Sequence, residues 1–248
     1  MSHRLRVKAA LIHLAVSAVI ASTIGALILG VWFPGSYAKV AHGWQLLAII
    51  LCVDSVCGPL LTLVLFNPRK SRRELTLDMS LVVLIQLAAL AYGVHAALQA
   101  RPVLTVFEAD RFRVVSAVEV DPERLQEAAP ELRTLPFDGP RVIGVRIPHG
   151  SDPDFGQAIV QEVSFQPKFW RSFDSQRDAA RRVSRPLSTL RAKHPGEASA
   201  IDGAIAATGL PEADLKFLPL QTRRNDNWVV LVRASDAGIV GFLPLDGF

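Results

Sequence analysis

Three long stretches almost free of charge constrain this chain more than any other feature. No residue between Lys8 and Lys39 is charged, and the first stretch, residues 7–33, contains LIHLAVSAVIASTIGALILGVWF and stops at Pro34-Gly35. A second covers residues 44–66, is broken only by Asp54, and closes with Asn67-Pro68. The third, residues 77–100, is uncharged after Asp78 until Arg101-Pro102. At about 1.5 Å of rise per residue, each spans the ~30 Å hydrocarbon core of a bilayer. The expectation is an α-helical membrane domain over residues 1–100 with three transmembrane helices. A secretory signal peptide is the alternative for the first stretch, because Arg4, Arg6 and Lys8 form a basic start. Its apolar core would be only roughly 7–15 residues long, much shorter than the stretch present.

The charges set the orientation. Residues 1–100 hold eight basic and three acidic residues, net +5, and the remainder holds 19 basic and 20 acidic, net −1. The overall basicity therefore belongs to the loops flanking the apolar stretches, and a nucleic-acid partner is not expected from it. Arg4, Arg6 and Lys8 precede the first helix, and Arg69, Lys70, Arg72 and Arg73 separate the second from the third, whereas the loop between the first two has only Lys39. By the positive-inside rule the N-terminus is cytoplasmic, and residues 101–248 form a domain outside, in the periplasm of a bacterium. Its length suits one globular domain. Both cysteines, Cys52 and Cys57, lie in the second helix and point about 140° apart, so they read as small packing residues and not as a disulfide.

Asp54 is the most informative polar residue, because a carboxylate near the bilayer midplane costs roughly 2.5–3.5 kcal/mol and must face protein. Ser55, Gly58, Pro59 and Thr62 make one side of its helix small and polar. The first helix carries matching small stripes, Ser17/Ala21/Gly25 and Ala18/Ser22/Ala26/Gly30, that allow close backbone approach. Counted from the cytoplasmic ends, Asp54 lies about 18 Å deep, Ser17 about 15 Å, Gln86 about 14 Å, Tyr92 about 22 Å and His13 about 9 Å. Ser17, Gln86 and Tyr92 are thus better partners for Asp54 than His13. Three roles remain open for Asp54: a protonated hydrogen-bonding residue within the bundle, a docking point for a partner helix, or part of a proton relay.

The outer half reads as α+β with a mostly antiparallel sheet. Residues 101–120 alternate as two strands turning at Glu108-Ala109-Asp110, a short helix follows over 121–129, and a strand lies at 141–147. Helices are expected near 154–163, 175–184, 186–193 and 197–208, the last ending at Gly209. Strands follow at 216–221, 228–233 and 238–245, with Arg224-Asn225-Asp226-Asn227 as a turn. No nucleophile elbow, HExxH or glycine-rich phosphate loop is present, so no enzyme activity and no cofactor are expected. His149, Asp152 and Asp154 read as a solvated turn more readily than a metal site, and the basic residues between Lys168 and Lys193 as a paired helix face, with an anionic-lipid or acidic-partner surface as the alternative. Phe165, Phe169, Trp170 and Phe173 read as core.

With these motifs in view, the chain resembles the TfpX/TfpZ family of type IV pilin accessory proteins. The resemblance rests on KAALIHLAVSAVIA (8–21), Trp32-Phe33-Pro34-Gly35, Gly43-Trp44, VDSVCGPLLTLVLFNPRK (53–70), QLAALAYG (86–93) and ARPVLTVFEADRFRVV (100–115), within the first 120 residues. It implies an inner-membrane helper without known catalysis, whose client is a type IV pilin waiting in the membrane as one apolar helix with a periplasmic head. Membrane lipids and other inner-membrane pilus assembly proteins are the further partners it implies. On that reading Asp54, Gly58, Pro59, Thr62, Ser17 and Gln86 form the docking site for the pilin helix. A membrane-anchored sensor, or an accessory to pilin modification, is the alternative.

Overall fold

The computed structural model describes residues 2–52, 56–67, 69–223 and 227–248. The chain divides into two compact units, Met1–Arg101 and Pro102–Phe248.

The first unit is helical. α1 (Ser2–Leu27) continues through a π-helical stretch, Ile28–Trp32, where the Phe33 N–H reaches back to the Ile28 carbonyl at 2.8 Å. A short α2 (Tyr37–Val40) leads into α3 (Gly43–Cys52) and α4 (Gly58–Leu65). α5 (Arg72–Ala100) opens on a capping box: the Glu74 N–H donates to the Ser71 hydroxyl at 3.3 Å, and the Ser71 N–H donates to the Glu74 carboxylate at 3.0 Å. Among the described residues two helices, Arg4–Trp32 and Arg72–Ala100, are long and apolar enough to cross a membrane. The second expected span corresponds to α3 and α4, ten and eight residues long. Residues 53–55, Asp54 among them, lie outside the described residues.

α1 turns one face inward. Ser17, Ala21, Gly25, Ile28 and Trp32 are buried at helical spacing, while Leu11, Ile12, Val16 and Val19 on the other sides are exposed. The stripe Ser17/Ala21/Gly25 therefore packs, and the stripe Ala18/Ser22/Ala26/Gly30 lies on the surface. The Ser22 and Thr23 hydroxyls donate to carbonyls four residues back, at 2.7 and 3.0 Å, so neither needs water. At the far end of α1, Ile28, Trp32 and Phe33 meet Ala38, Leu47, Ile50 and Ala97 in one core. α5 comes close to α3 there, since a Cβ on Gly93 would lie 2.8 Å from Cγ1 of Ile50.

The second unit is a mixed α/β domain. β1 (Pro102–Glu108) and β2 (Arg111–Ser116) form a hairpin that turns at Ala109, whose φ is +56°. β3 (Arg141–Val145), β4 (Trp170–Ser172), β5 (Arg185–Pro186), β6 (Leu215–Gln221), β7 (Trp228–Arg233) and β8 (Ile239–Leu243) complete one sheet. Its order is β4-β3-β1-β2-β6-β7-β8, and β5 pairs with β6. The sheet is mixed: β1 runs parallel to β3 and β2 parallel to β6, and the remaining pairs are antiparallel. β2 and β6 share only the pairs Phe112↔Leu220 and Arg113↔Gln221, the one strand pairing between β1–β4 and β5–β8 among the described residues.

Helices α6 (Phe155–Val160), α7 (Arg177–Val183), α8 (Leu187–Lys193) and α9 (Ala198–Thr208) lie close to their expected places. The expected helix at 121–129 is instead a 3-10 segment, Pro122–Glu127, capped by Asp121, with Pro130 leaving no room for a longer helix. α8 and α9 cover one face of the sheet, where Leu187, Leu190 and Ile201 bury Phe217, Val229 and Leu231. A second core gathers Val103, Val106, Val115, Ile143, Phe169 and Trp170. Trp170 buries its ring and donates its indole N–H to the Ser164 carbonyl at 2.9 Å.

Candidate functional site

In the membrane unit the residues expected to form a docking site separate into two groups. Ser17, Gly58 and Thr62 are buried inside the bundle. Pro59 and Gln86 are half-buried. Gly58 and Gln86 meet across α4 and α5: a Cβ on Gly58 would run into the Gln86 amide, so only glycine lets that amide lie against the α4 backbone. Asp54 lies outside the described residues, and its expected pairing with Ser17, Gln86 or Tyr92 lies there with it.

His13 is the residue that the depth comparison with Asp54 set aside. Its Nδ1 lies 2.6 Å from the Thr62 hydroxyl, one hydrogen bond tying α1 to α4. The bond satisfies two polar groups within an apolar unit, where an unmet donor or acceptor costs several kcal/mol. His13 stands four residues before Ser17, so it extends the buried stripe by one turn.

Between α3–α4 and α5 runs a groove of about 410 Å3. Its walls are Ile49, Ile50, Leu61, Ile85 and Leu90, and its polar groups are Gln86, the Cys57 thiol and Tyr92. Tyr92 is 76% exposed. In lipid an apolar helix surface needs no special partner, whereas the exposed Tyr92 phenol gains from one that can hydrogen-bond.

Among the described residues no three His, Cys, Asp or Glu side chains gather as a metal site. Asp152 and Asp154 both bind Arg146, the second at 2.6 Å, and Lys168 reaches Asp154 at 2.8 Å. The Lys168 hydrogen bond, seconded by that of Arg146, holds the Asp154 carboxyl below the ordinary carboxylate range. The basic run is largely paired: Arg177 with Asp174, Arg181 with Asp178, Arg191 with Asp202 and Glu212, Lys193 with Asp246. Phe169, Trp170 and Phe173 are buried, and Phe173 meets Phe107 edge-on and Phe112 at a tilt.

Sequence reading passed over Arg113. It is 8% exposed, donates to the Gln221 side chain at 2.6 Å, and pairs with Glu162 at 2.9 Å. Its Nε faces Glu108 at 3.5 Å, an ion pair without a hydrogen bond. The strand alternation that placed β2 carries no sign that β6 lies beside it, so nothing in the sequence marked this contact.

Comparison with known proteins gives one consistent result. The profile of the fimbrial assembly protein FimB family matches residues 2–42. The chain is 32% identical to the fimbrial assembly protein, serogroup I, of Dichelobacter nodosus over 245 residues, covering 96% of this chain and 94% of that protein. It is 33% identical to the serogroup E1 protein of the same organism, with 96% and 94% covered. The protein of serogroups C1 and C2 is 39% identical over 117 residues, covering 47% of this chain and 89% of that protein. No solved structure matches.

Proposed function

We infer the role of this protein from the premise that the chain belongs to the FimB family of fimbrial assembly proteins, which supports a part in fimbrial biogenesis. The finer reading, in line with the resemblance to TfpX/TfpZ accessory proteins, is that it binds a type IV pilin in the inner membrane. It acts there as a non-catalytic helper, holding the pilin for entry into, or retention in, the growing pilus. The observation that carries this reading is the groove between α3–α4 and α5, an apolar trough with the exposed Tyr92 phenol at its wall. Such a surface suits a single transmembrane helix that brings its own small and polar residues, because packing and interhelical hydrogen bonds are the forces that join helices in lipid. Gln86 stands on the wall of that groove, and Ser17, Gly58 and Thr62 support it by fixing the bundle from inside; Asp54 and Pro59 complete the proposed docking set on the sequence reading alone.

On this reading α3 and α4 together make the second crossing, the N-terminus is cytoplasmic, and residues 101–248 are periplasmic. The basic residues Arg4, Arg6 and Lys8 and the cluster from Arg69 to Arg73 support that orientation.

The test is to delete the gene and count surface pili and total cellular pilin, in strains with and without retraction. Loss of pili only where retraction operates assigns the protein to the balance between extension and retraction; loss in both assigns it to assembly. Unchanged piliation in both strains removes the pilin reading. A sensor would be the next account. An unchanged mass of mature pilin in the deletion strain would exclude a role in pilin modification.

A further inference from the structure

We infer that a cleft in the outer unit, at the carboxyl ends of the parallel strands β1 and β3, is a binding site for a carboxylate side chain of a partner polypeptide. The inference does not rest on the membrane groove. β1 and β3 leave the sheet in the same direction, with Phe107 paired to Gly144, and the space beyond their ends is the crevice that parallel strands leave open. It measures about 430 Å3. Phe107, Val145 and Ala179 supply apolar wall, and Arg146, His149, Arg171 and Gln176 the polar part.

Arg171 gives the cleft its sign. Its Nη1 donates to the Lys168 and Trp170 carbonyls at 3.0 and 2.6 Å, which fixes the guanidinium, while Nε and Nη2 have no partner among the described residues. Unlike Arg177, Arg181, Arg191 and Lys193, it has no carboxylate. Gln176 lies across Gly144, where a Cβ would meet its side-chain carbons, and its amide also has no partner among the described residues. A held guanidinium with two unused donors beside an unused amide matches the two oxygens of a carboxylate.

The charge balance narrows the ligand further. Arg146 and Lys168 are matched by Asp152 and Asp154, so Arg171 is the guanidinium of the cleft left without a carboxylate among the described residues. A singly charged carboxylate fits this balance better than a phosphate dianion. The volume exceeds one carboxylate, and the apolar wall accepts the methylenes of a glutamate and its neighbouring backbone.

The test uses the full chain in a neutral detergent and the probe peptide N-acetyl-Ala-Glu-Ala-amide, titrated by calorimetry at pH 7. Saturable binding is expected, at least about tenfold weaker for the Ala-Gln-Ala peptide and weaker by about the same factor in Arg171→Gln and in Gln176→Ala. Arg182→Gln, on the exposed side of α7, serves as the control and should bind as the parent does. Should Arg171→Gln lower the unfolding temperature, Gln176→Ala carries the test. Equal binding of the two peptides would overturn the proposal, as would undiminished binding by variants that unfold like the parent. Free glutarate binding as tightly as the peptide would overturn the polypeptide assignment, and tighter displacement by inorganic phosphate or phosphatidylglycerol vesicles would reassign the cleft to phosphate.

Discussion

At Arg113 a charged side chain is buried in order to join strands distant in sequence. Glu108, Glu162 and Gln221 surround its guanidinium, and Phe165 lies 5.5 Å from it. Removing one partner of such a buried set leaves the others uncompensated, so Arg113→Met should destabilise the outer unit by about 3 kcal/mol, the low end for a buried pair because Glu162 is half-exposed. Urea unfolding followed by Trp170 and Trp228 fluorescence would measure it. In the membrane unit, Asp54→Leu should reduce piliation at unchanged protein abundance if Asp54 serves docking; lost abundance would mark it as a packing residue, and full piliation would remove it from the site. Pili and immunoblotted protein counted together distinguish the three. Part of the site was legible because the bilayer makes polar residues conspicuous. The bond between His13 and Thr62 was overlooked for a definite reason: depth was compared with Asp54 alone, whereas Thr62, four residues from Phe66, lies only about 6 Å deep by the same count, close to His13 at about 9 Å.

The elements divide by how local their determinants are. α9 was legible because its stop, Gly209, lies in the sequence itself; α5, expected from residue 77, begins five residues earlier on the Ser71–Glu74 capping box. Gly209 takes φ +67° and ψ +11°, the left-handed conformation that ends α9. Gly209→Ala should therefore cost about 1 kcal/mol through the Cβ clash of that conformation, read as a lowered unfolding temperature of the outer unit. β4 and β5, three and two residues long, were missed because no periodicity exists at that length. The parallel partners β1 with β3 and β2 with β6 were equally hidden, since alternation marks a strand but not its neighbour.

For the whole molecule, carboxylates set the response of the outer unit to acid. Hydrogen bonds from Arg124 to Glu127, from Lys168 and Arg146 to Asp154, and from Lys193 to Asp246 hold all three carboxyls below their ordinary values. Each therefore adds stability that is complete above the unfolded-state value, near 4, and is lost as the pH falls through the folded-state value. The urea midpoint should stay level from about pH 6 to 8 and drop below about pH 4. Asp154→Asn together with Asp246→Asn should flatten that drop.

The narrow join between β2 and β6 also bears on how the outer unit is made. β1 to β4 come from residues 102–172 and β5 to β8 from residues 185–243, so strand pairing within each half is complete before the other half is needed. The first half can take shape while the second is still emerging from the ribosome, leaving a short strand-docking step at Arg113 and Gln221 for the end. Amide hydrogen exchange would show two blocks of protection, one over β1 and β3 and one over β6 and β7, each opening as its own unit before the whole sheet is lost.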